Sequence, residues 1–414
     1  MKTLITLIFA LTFSSIIQSQ IQYCDCKTDL DFLVTKMKEM PSYKHQIIKK
    51  RKEREFNQQY QIFADQMETP TSKIKRFNYL NKMMATVVDL HASVGSNSEG
   101  ISKEILNDTS ALQTYLNSEE FINHPRTLHD LALLRKELAQ KPITEIEGIY
   151  KSEGLTIGVY ESDSAQKYEA VVLESELLTW NPGQIVMYLT PNGNDRFNLL
   201  YFSRDSKKIQ FSKGVSASNG RILYYVKEGV VSNEINFSKE KWVFEQLSDT
   251  VQYIYFGEFS NTNSVKKTSK EFYAKMKDSI NAKHLIIDLR NNGGGNKKNS
   301  DPFLKLFKKN KGNIYVLTNS FSASNTEQFT VKLKKLSNVI HLGETTRGVI
   351  AYGMNYGYTY ETPSGLFSIL PTDMDFHKTY FEYEGKGIVP TVKLNFDSDW
   401  ISQTIEYIEK QANL

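Results

Sequence analysis

The chain has 414 residues, 40% of them apolar, with 51 Lys and Arg against 47 Asp and Glu. That length predicts two or three domains with cores of their own, and the balanced, interleaved charge excludes a dedicated nucleic-acid or anionic-membrane surface. The two cysteines, Cys24 and Cys26, exclude a disulfide scaffold, because a bridge between residues two apart is strained; two thiols alone, with scattered histidines, make no zinc site.

Lys2 precedes a mostly apolar run from Leu4 to Ile17, and small and polar residues follow at Ser19 and Gln20. This is the layout of a secretory signal peptide, too short and interrupted to span a bilayer. Residues 1–19 are therefore expected to be a cleaved leader. The mature chain is expected to be exported, periplasmic or extracellular, with no stable membrane insertion.

From Asp29 to about Gln140 the periodicity is helical, starting with Leu30, Phe32, Leu33 and Met37. The charged run from Lys49 to Glu55 reads as a solvated helix face. Leu128, Leu131, Leu133 and Leu134 predict one more helix, and Pro142 marks a boundary.

From Glu147 to about Ser232 the pattern alternates. Strands are predicted at Ile149-Tyr150, Leu155 to Tyr160, Tyr168 to Leu173, Ile185 to Leu189 and Ile222 to Val226. Turns fall at Pro182-Gly183, Pro191-Asn192-Gly193 and Asn219-Gly220. From about Lys241 strands alternate with helices, which predicts an α/β layer with a largely parallel sheet. The expected division is a helical N-terminal domain over 20–143, a small antiparallel β domain over 144–235, for which a barrel is one form, and the α/β domain over 236–414.

Two strand ends in the last region carry residues suited to chemistry. Leu285-Ile286-Ile287-Asp288 runs into Gly293-Gly294-Gly295. Glycine lets the backbone approach a ligand closely, and free amides there suit an anion or a developing oxyanion; a plain turn between strand and helix fits the segment equally well. The P-loop pattern is absent, although Lys297, Lys298 and Ser300 lie nearby.

The strand Ile314 to Leu317 ends in Ser320-Phe321-Ser322-Ala323-Ser324-Asn325-Thr326-Glu327. Ser324 with Glu327 matches a capping box. The same serine sits beside free helix N-terminal amides, where negative charge is stabilised. A serine nucleophile needs a base. Of the seven histidines, His91 stands at a polar corner where an apolar helix is expected to end, a place where a lone histidine is usually structural.

Together these segments resemble the serine peptidase family of the C-terminal (tail-specific) processing proteases, the tricorn core protease and the interphotoreceptor retinoid-binding repeats. Asp288-Leu289-Arg290-Asn291-Asn292-Gly293-Gly294-Gly295 is similar to its D-L-R-x-N-x-G-G signature. Ser322-Ala323-Ser324 with Glu327 resembles its nucleophile segment. Gly343-Glu344-Thr345-Thr346-Arg347-Gly348 and Gly385-Lys386-Gly387-Ile388-Val389-Pro390 resemble its two later motifs.

The resemblance implies a crotonase/ClpP-like fold and peptide-bond hydrolysis without cofactor or metal, on a polypeptide substrate. It implies Ser324 as nucleophile, and an oxyanion hole from the Asn325 amide with a Gly293 or Gly294 amide. Val349 occupies the place of the processing proteases' lysine base, and Arg347 stays protonated, so no Ser-Lys dyad is expected. Asp89-Leu90-His91-Ala92 is similar to the tricorn branch's D-G-H-T segment, with Leu90 and Ala92 in place of glycine and threonine. It implies His91 as base, oriented by Glu384, or alternatively Glu382. Residues 147–232 lack a clear carboxylate-binding loop of a PDZ kind, so strict tail specificity is not expected. The rival expectation is an inactive peptidase fold that binds peptides or apolar ligands.

Overall fold

The computed structural model describes residues 26–98, 100–162, 167–193 and 195–412. The expected leader lies outside them. Among the described residues no helix is long and apolar enough to cross a membrane.

Helix α1 (Cys26–Glu39) buries Leu30, Leu33, Val34 and Met37, the i, i+3, i+4, i+7 stripe of an amphipathic helix. It packs with α2 (Glu53–Met67) and α3 (Lys73–Met84), joined by a π-helical turn over Lys44–Ile48. Cys26 is disulfide-bonded. The other cysteine of the sequence, Cys24, lies outside the described residues. Asp29 is fully buried, pairs with Arg76 at 2.7 Å and accepts from Ser364 N–H and Oγ, tying the helical front to the far end of the chain.

The helical stretch is interrupted rather than continuous: short helices resume over Lys103–Asn107, Thr109–Leu116, Glu119–Ile122 and Leu131–Leu138, but after Met84 the segment Ser93–Ser96 forms strand β1. Its partner is β17 (Phe367–Leu370), which also pairs β16 (Tyr360–Glu361). A four-residue strand whose partner lies some 270 residues onward leaves almost no local signal.

Next comes an eight-stranded antiparallel sheet, β2 (Gly148–Ser152), β3 (Leu155–Glu161), β4 (Tyr168–Ser175), β5 (Ile185–Pro191), β6 (Arg196–Phe202), β7 (Ile209–Ser216), β8 (Arg221–Ile222) and β9 (Tyr225–Lys227). The strand order is β7-β6-β5-β4-β3-β2-β9-β8. The outer strands β7 and β8 do not pair, so the sheet is not the closed barrel expected. Strands β6 and β7 went unpredicted, because Arg196, Asn198, Gln210 and Lys213 interrupt their alternation. Helix α4 (Leu131–Leu138) packs on β2 and β3 through Leu134 and Leu138, leaving Leu128 and Leu133 exposed. One apolar cluster joins Leu30, Phe77 and Met84 of the helices to Ile157, Val186 and Leu189 of this sheet.

The remainder is α/β, as the alternation predicts. Strands β10 (Trp242–Ser248), β11 (Val251–Phe256), β12 (His284–Asp288), β13 (Asn313–Thr318), β14 (Val339–Gly343) and β19 (Val392–Lys393) follow that order in one sheet. All pairs are parallel except the β10 edge. Buried on both faces, β12 reads as a continuous apolar run. Leu285 and Ile287 face α5 (Asn263–Met276), α6 (Asp301–Phe307) and α7 (Asn325–Leu333), whereas Ile286 faces α8 (Trp400–Ala412).

Just beyond β12, Asp288 and Arg290 form a buried bidentate pair with N···O distances of 2.7–3.1 Å. Tyr253 and Asn236 donate to the same carboxylate, and Arg290 reaches the Asn233 carbonyl. This half of the glycine-rich motif is an anchor that ties the strand end to the chain entering the α/β layer.

Removing one partner of a buried pair strands the other charge, at a typical cost of about 3–5 kcal/mol. We expect Arg290→Leu to lose stability of that order in urea denaturation followed by circular dichroism. A loss under about 1 kcal/mol, the level of an exposed pair, would contradict the anchoring role.

Candidate active site

The C-terminal ends of β12 and β13 open on one side of the sheet, where ligands of parallel α/β sheets commonly bind. Ser324 follows β13 at the N-cap of α7. Its backbone has φ 59° and ψ −123°, a conformation that L-residues adopt only under restraint. The restraint is Glu327. Its fully buried carboxylate accepts from Ser324 N–H (2.9 Å), Thr346 Oγ1 (2.5 Å), Gly348 N–H (2.7 Å) and Val349 N–H (2.8 Å). Burial pushes the Glu327 pKa up while these four donors oppose the rise. The predicted capping box is present, with Glu327 taking the Ser324 amide and the Ser324 side chain facing the Glu327 backbone, and the hydroxyl turns outward as well.

It turns to His91, whose Nε2 lies 3.0 Å from Ser324 Oγ. His91 stands in the turn between α3 and β1. Asp89 shapes that turn by accepting from Ala92 N–H (3.1 Å) and Thr372 Oγ1 (2.6 Å). Gln46 holds Val88 at both its N–H and its carbonyl, each at 2.9 Å. Burial lowers the His91 pKa below 6.5; Asp89 counteracts this and Lys213 reinforces it. The ring is therefore neutral near pH 7, and its buried Nδ1 has no hydrogen-bond partner among the described residues.

Among the described residues Glu384 makes no hydrogen bond to the imidazole, in contrast to the role that the resemblance implies. Its buried carboxylate accepts from Leu90 N–H (2.8 Å), Ile350 N–H (2.8 Å) and Ala351 N–H (2.7 Å). It orders the backbone next to His91 rather than the ring. Glu382 is exposed on a short helical turn. The tie from Glu384 to Leu90 spans 294 residues and has no local signature.

The Gly294 backbone lies against Ser324: a Cβ there would stand 2.7 Å from Ser324 Cβ and 2.8 Å from the Asn325 nitrogen. With φ +91° as well, only glycine fits. Its N–H, however, donates to Asn292 Oδ1 at 2.9 Å, which corrects the expectation of a free donor there. The Gly293 and Asn325 amides have no such partner among the described residues, and Asn325 lines the cleft whereas Gly293 does not.

The cleft holds about 430 Å³ and contains both His91 and Ser324. Tyr352, Met354, Met374 and Phe376 give it an apolar wall, from and around the ribbon of β15 (Tyr352–Gly353) with β18 (Met374–Asp375). Asn296, Lys297 and Lys298 face it. A larger hollow of about 720 Å³, beside Phe197 and Phe396, contains neither His91 nor Ser324. Sequence reading missed Glu327's hold on residues 346–349, although the S-x-x-E spacing pointed to it. It also missed Gln46 and Lys213.

The model of Peptidase family S41 matches residues 250–312 and 297–394. The matched region, residues 250–394, is similar to that family over less than half of the chain. It includes Ser324, Glu327 and Glu384, whereas His91 lies outside it. Among solved structures, the chain is similar to mature CPAF complexed with lactacystin, at 12% identity and TM-score 0.45, covering 94% of this chain and 98% of that one. It is similar to the tricorn protease at 14% identity and TM-score 0.43, covering 94% of this chain and 37% of that one. It is also similar to the photosystem II D1 C-terminal processing protease, at 12% identity and TM-score 0.37, covering 90% and 94%. No curated protein matches the sequence.

Glu384 supplies a pH test. Burial raises its pKa from 4.5 to about 7 against the three amides that lower it. A carboxyl with a raised folded pKa contributes stability fully below its unfolded pKa and loses it as pH rises through the folded value. We expect the stability difference between wild type and Glu384→Gln to decline steadily from about pH 4.5 to about pH 7. A difference independent of pH in urea titrations would contradict this.

Proposed function

We propose that this protein is an exported serine peptidase that hydrolyses peptide bonds through an acyl-enzyme on Ser324, with His91 as general base. The observation that carries the reading is the 3.0 Å contact between His91 Nε2 and Ser324 Oγ, across 233 residues of chain. That distance lies within the range for nucleophile and base. In this reading the S41 region is a crotonase/ClpP-like catalytic domain over 236–414. The helical part over 20–143 brings the base, in the manner of the tricorn-like branch, and residues 144–235 form the inserted β domain. The leader directs export to a periplasm or the exterior.

His91 accepts the Ser324 proton as Oγ attacks the substrate carbonyl. The imidazolium then returns that proton to the leaving amine, and water repeats the cycle. The Asn325 amide, at the N-terminus of α7, is the oxyanion donor best placed, with Gly293 as the second. Loss of one such donor typically costs about 10²–10³ in rate. The polypeptide substrate lies extended along the 430 Å³ cleft.

We expect Ser324→Ala and His91→Ala each to abolish hydrolysis of a denatured protein substrate while retaining the wild-type circular dichroism spectrum. Turnover by Ser324→Ala equal to wild type would sink the nucleophile assignment. His91 must be neutral to act, and burial lowers its pKa from 6.5, so the acid limb of the pH–rate profile is expected below 6.5. An acid limb above that value argues for another base.

The second reading, an inactive peptidase fold that binds peptides or apolar ligands, draws on one observation. No acceptor fixes the tautomer of His91 at Nδ1 among the described residues. A fluorophosphonate separates the two, because stoichiometric reaction at Ser324 favours the enzyme and no reaction favours the binder.

A further inference from the structure

Two side chains on adjacent strands of the eight-stranded sheet, Lys213 and Arg196, reach from it to the backbone that carries the site. Lys213 projects from β7, and its Nζ donates to the carbonyl oxygens of Asp89 and Ala92, the latter at 2.6 Å. Those two carbonyls bracket His91. Arg196 on β6 is buried, and β6 pairs β7 at Arg196 and Ser216. Its guanidinium donates to the carbonyls of Thr346 (2.7 Å), Arg347 (2.8 Å), Gly214 (3.0 Å) and Lys386 (3.3 Å). Thr346 in turn donates to Glu327, which holds the Ser324 amide. The two arms are linked, since Arg347 donates to the Lys213 carbonyl at 3.3 Å.

Neither cation has an ion-pair partner among the described residues. Withdrawing an ammonium from water without a carboxylate is costly, and a neutral donor would serve the same two carbonyls. Burial lowers the Lys213 pKa from 10.5 while Asp89 and Glu384 hold it up, so a lysine at this place calls for an explanation.

Resting on the reading of His91 and Ser324 as the working pair, we propose that Lys213 is a positioning residue for His91: it fixes the 89–92 turn against the sheet and keeps a positive charge beside the imidazole. The charged groups facing His91 are Asp89, on its own turn, and Lys213; Glu384 faces Leu90 and Lys213. Asp89 favours the imidazolium and Lys213 opposes it. The eight-stranded sheet thus enters the reaction through its hold on the base, and Arg196 makes the matching hold on the nucleophile side.

The test is the rate at which the full-length chain reacts with a fluorophosphonate at Ser324, measured against pH. Misplacing a catalytic group by about 1 Å can cost about 10²-fold in rate. We expect Lys213→Met to react about 10- to 100-fold more slowly, with its acid limb moved to higher pH because the opposing charge is gone. A rate and an acid limb equal to wild type would overturn the proposal. So would a slower reaction whose acid limb stays in place, since that marks a purely structural lysine. Should Lys213→Met fail to fold by circular dichroism, Lys213→Gln keeps N–H donors without the charge and must show the displaced acid limb. A wild type that does not react at Ser324, like Ser324→Ala, sinks the peptidase reading and this proposal together. A reactive wild type with an unshifted Lys213 variant sinks this proposal alone.

Discussion

The contact between His91 and Ser324 joins segments 233 residues apart, and among the described residues the imidazole has no partner on its other nitrogen. A ring placed in that way is as well oriented as the backbone beneath it. The rest of the structure answers this constraint. Gln46 from the helical front holds Val88, Glu384 from the end of the S41 region holds Leu90, and Lys213 from the eight-stranded sheet holds Asp89 and Ala92. Each of the three parts of the chain supplies one restraint to a five-residue turn.

Buried carboxylates perform most of the bracing. Among the described residues Glu327 and Glu384 have no lysine or arginine hydrogen-bonded to them; they gather backbone amides from loops that would otherwise leave those donors unsatisfied. An unpaired buried N–H costs about 1–3 kcal/mol, so one carboxylate that accepts three of them offsets much of its own desolvation. Glu327 in addition holds Ser324 at φ 59°. A strained backbone at a functional serine persists only where its surroundings over-determine it, and here the next turn of α7 and residues 346–349 both meet at the same carboxylate.

The division between anchoring and chemistry runs through single motifs. Asp288 and Arg290 face inward and hold the end of β12, while Gly294, six residues past Asp288, brings backbone against Ser324. Asn292 lies between these roles: its side chain donates to the Phe256 carbonyl and accepts from the Gly294 amide. The motif's polar residues set where its glycines stand.

The α/β layer was legible along the chain because its strands are short apolar runs with helices of clear period between them. Ser324 and the glycine-rich strand end were legible because a strand, a turn and a helix follow one another within a dozen residues. The Glu384 ties to Leu90, Ile350 and Ala351 were not, nor was strand β1, whose partner is β17. Strands β6 and β7 were hidden by the polar residues Arg196 and Lys213, which break the alternation because they turn inward to backbone carbonyls rather than to solvent. Local pattern records which face of an element is apolar and where backbone must turn. Which distant carbonyl a lysine reaches, and whether a histidine arrives beside a serine, depends on packing among segments hundreds of residues apart, and only the folded chain decides it.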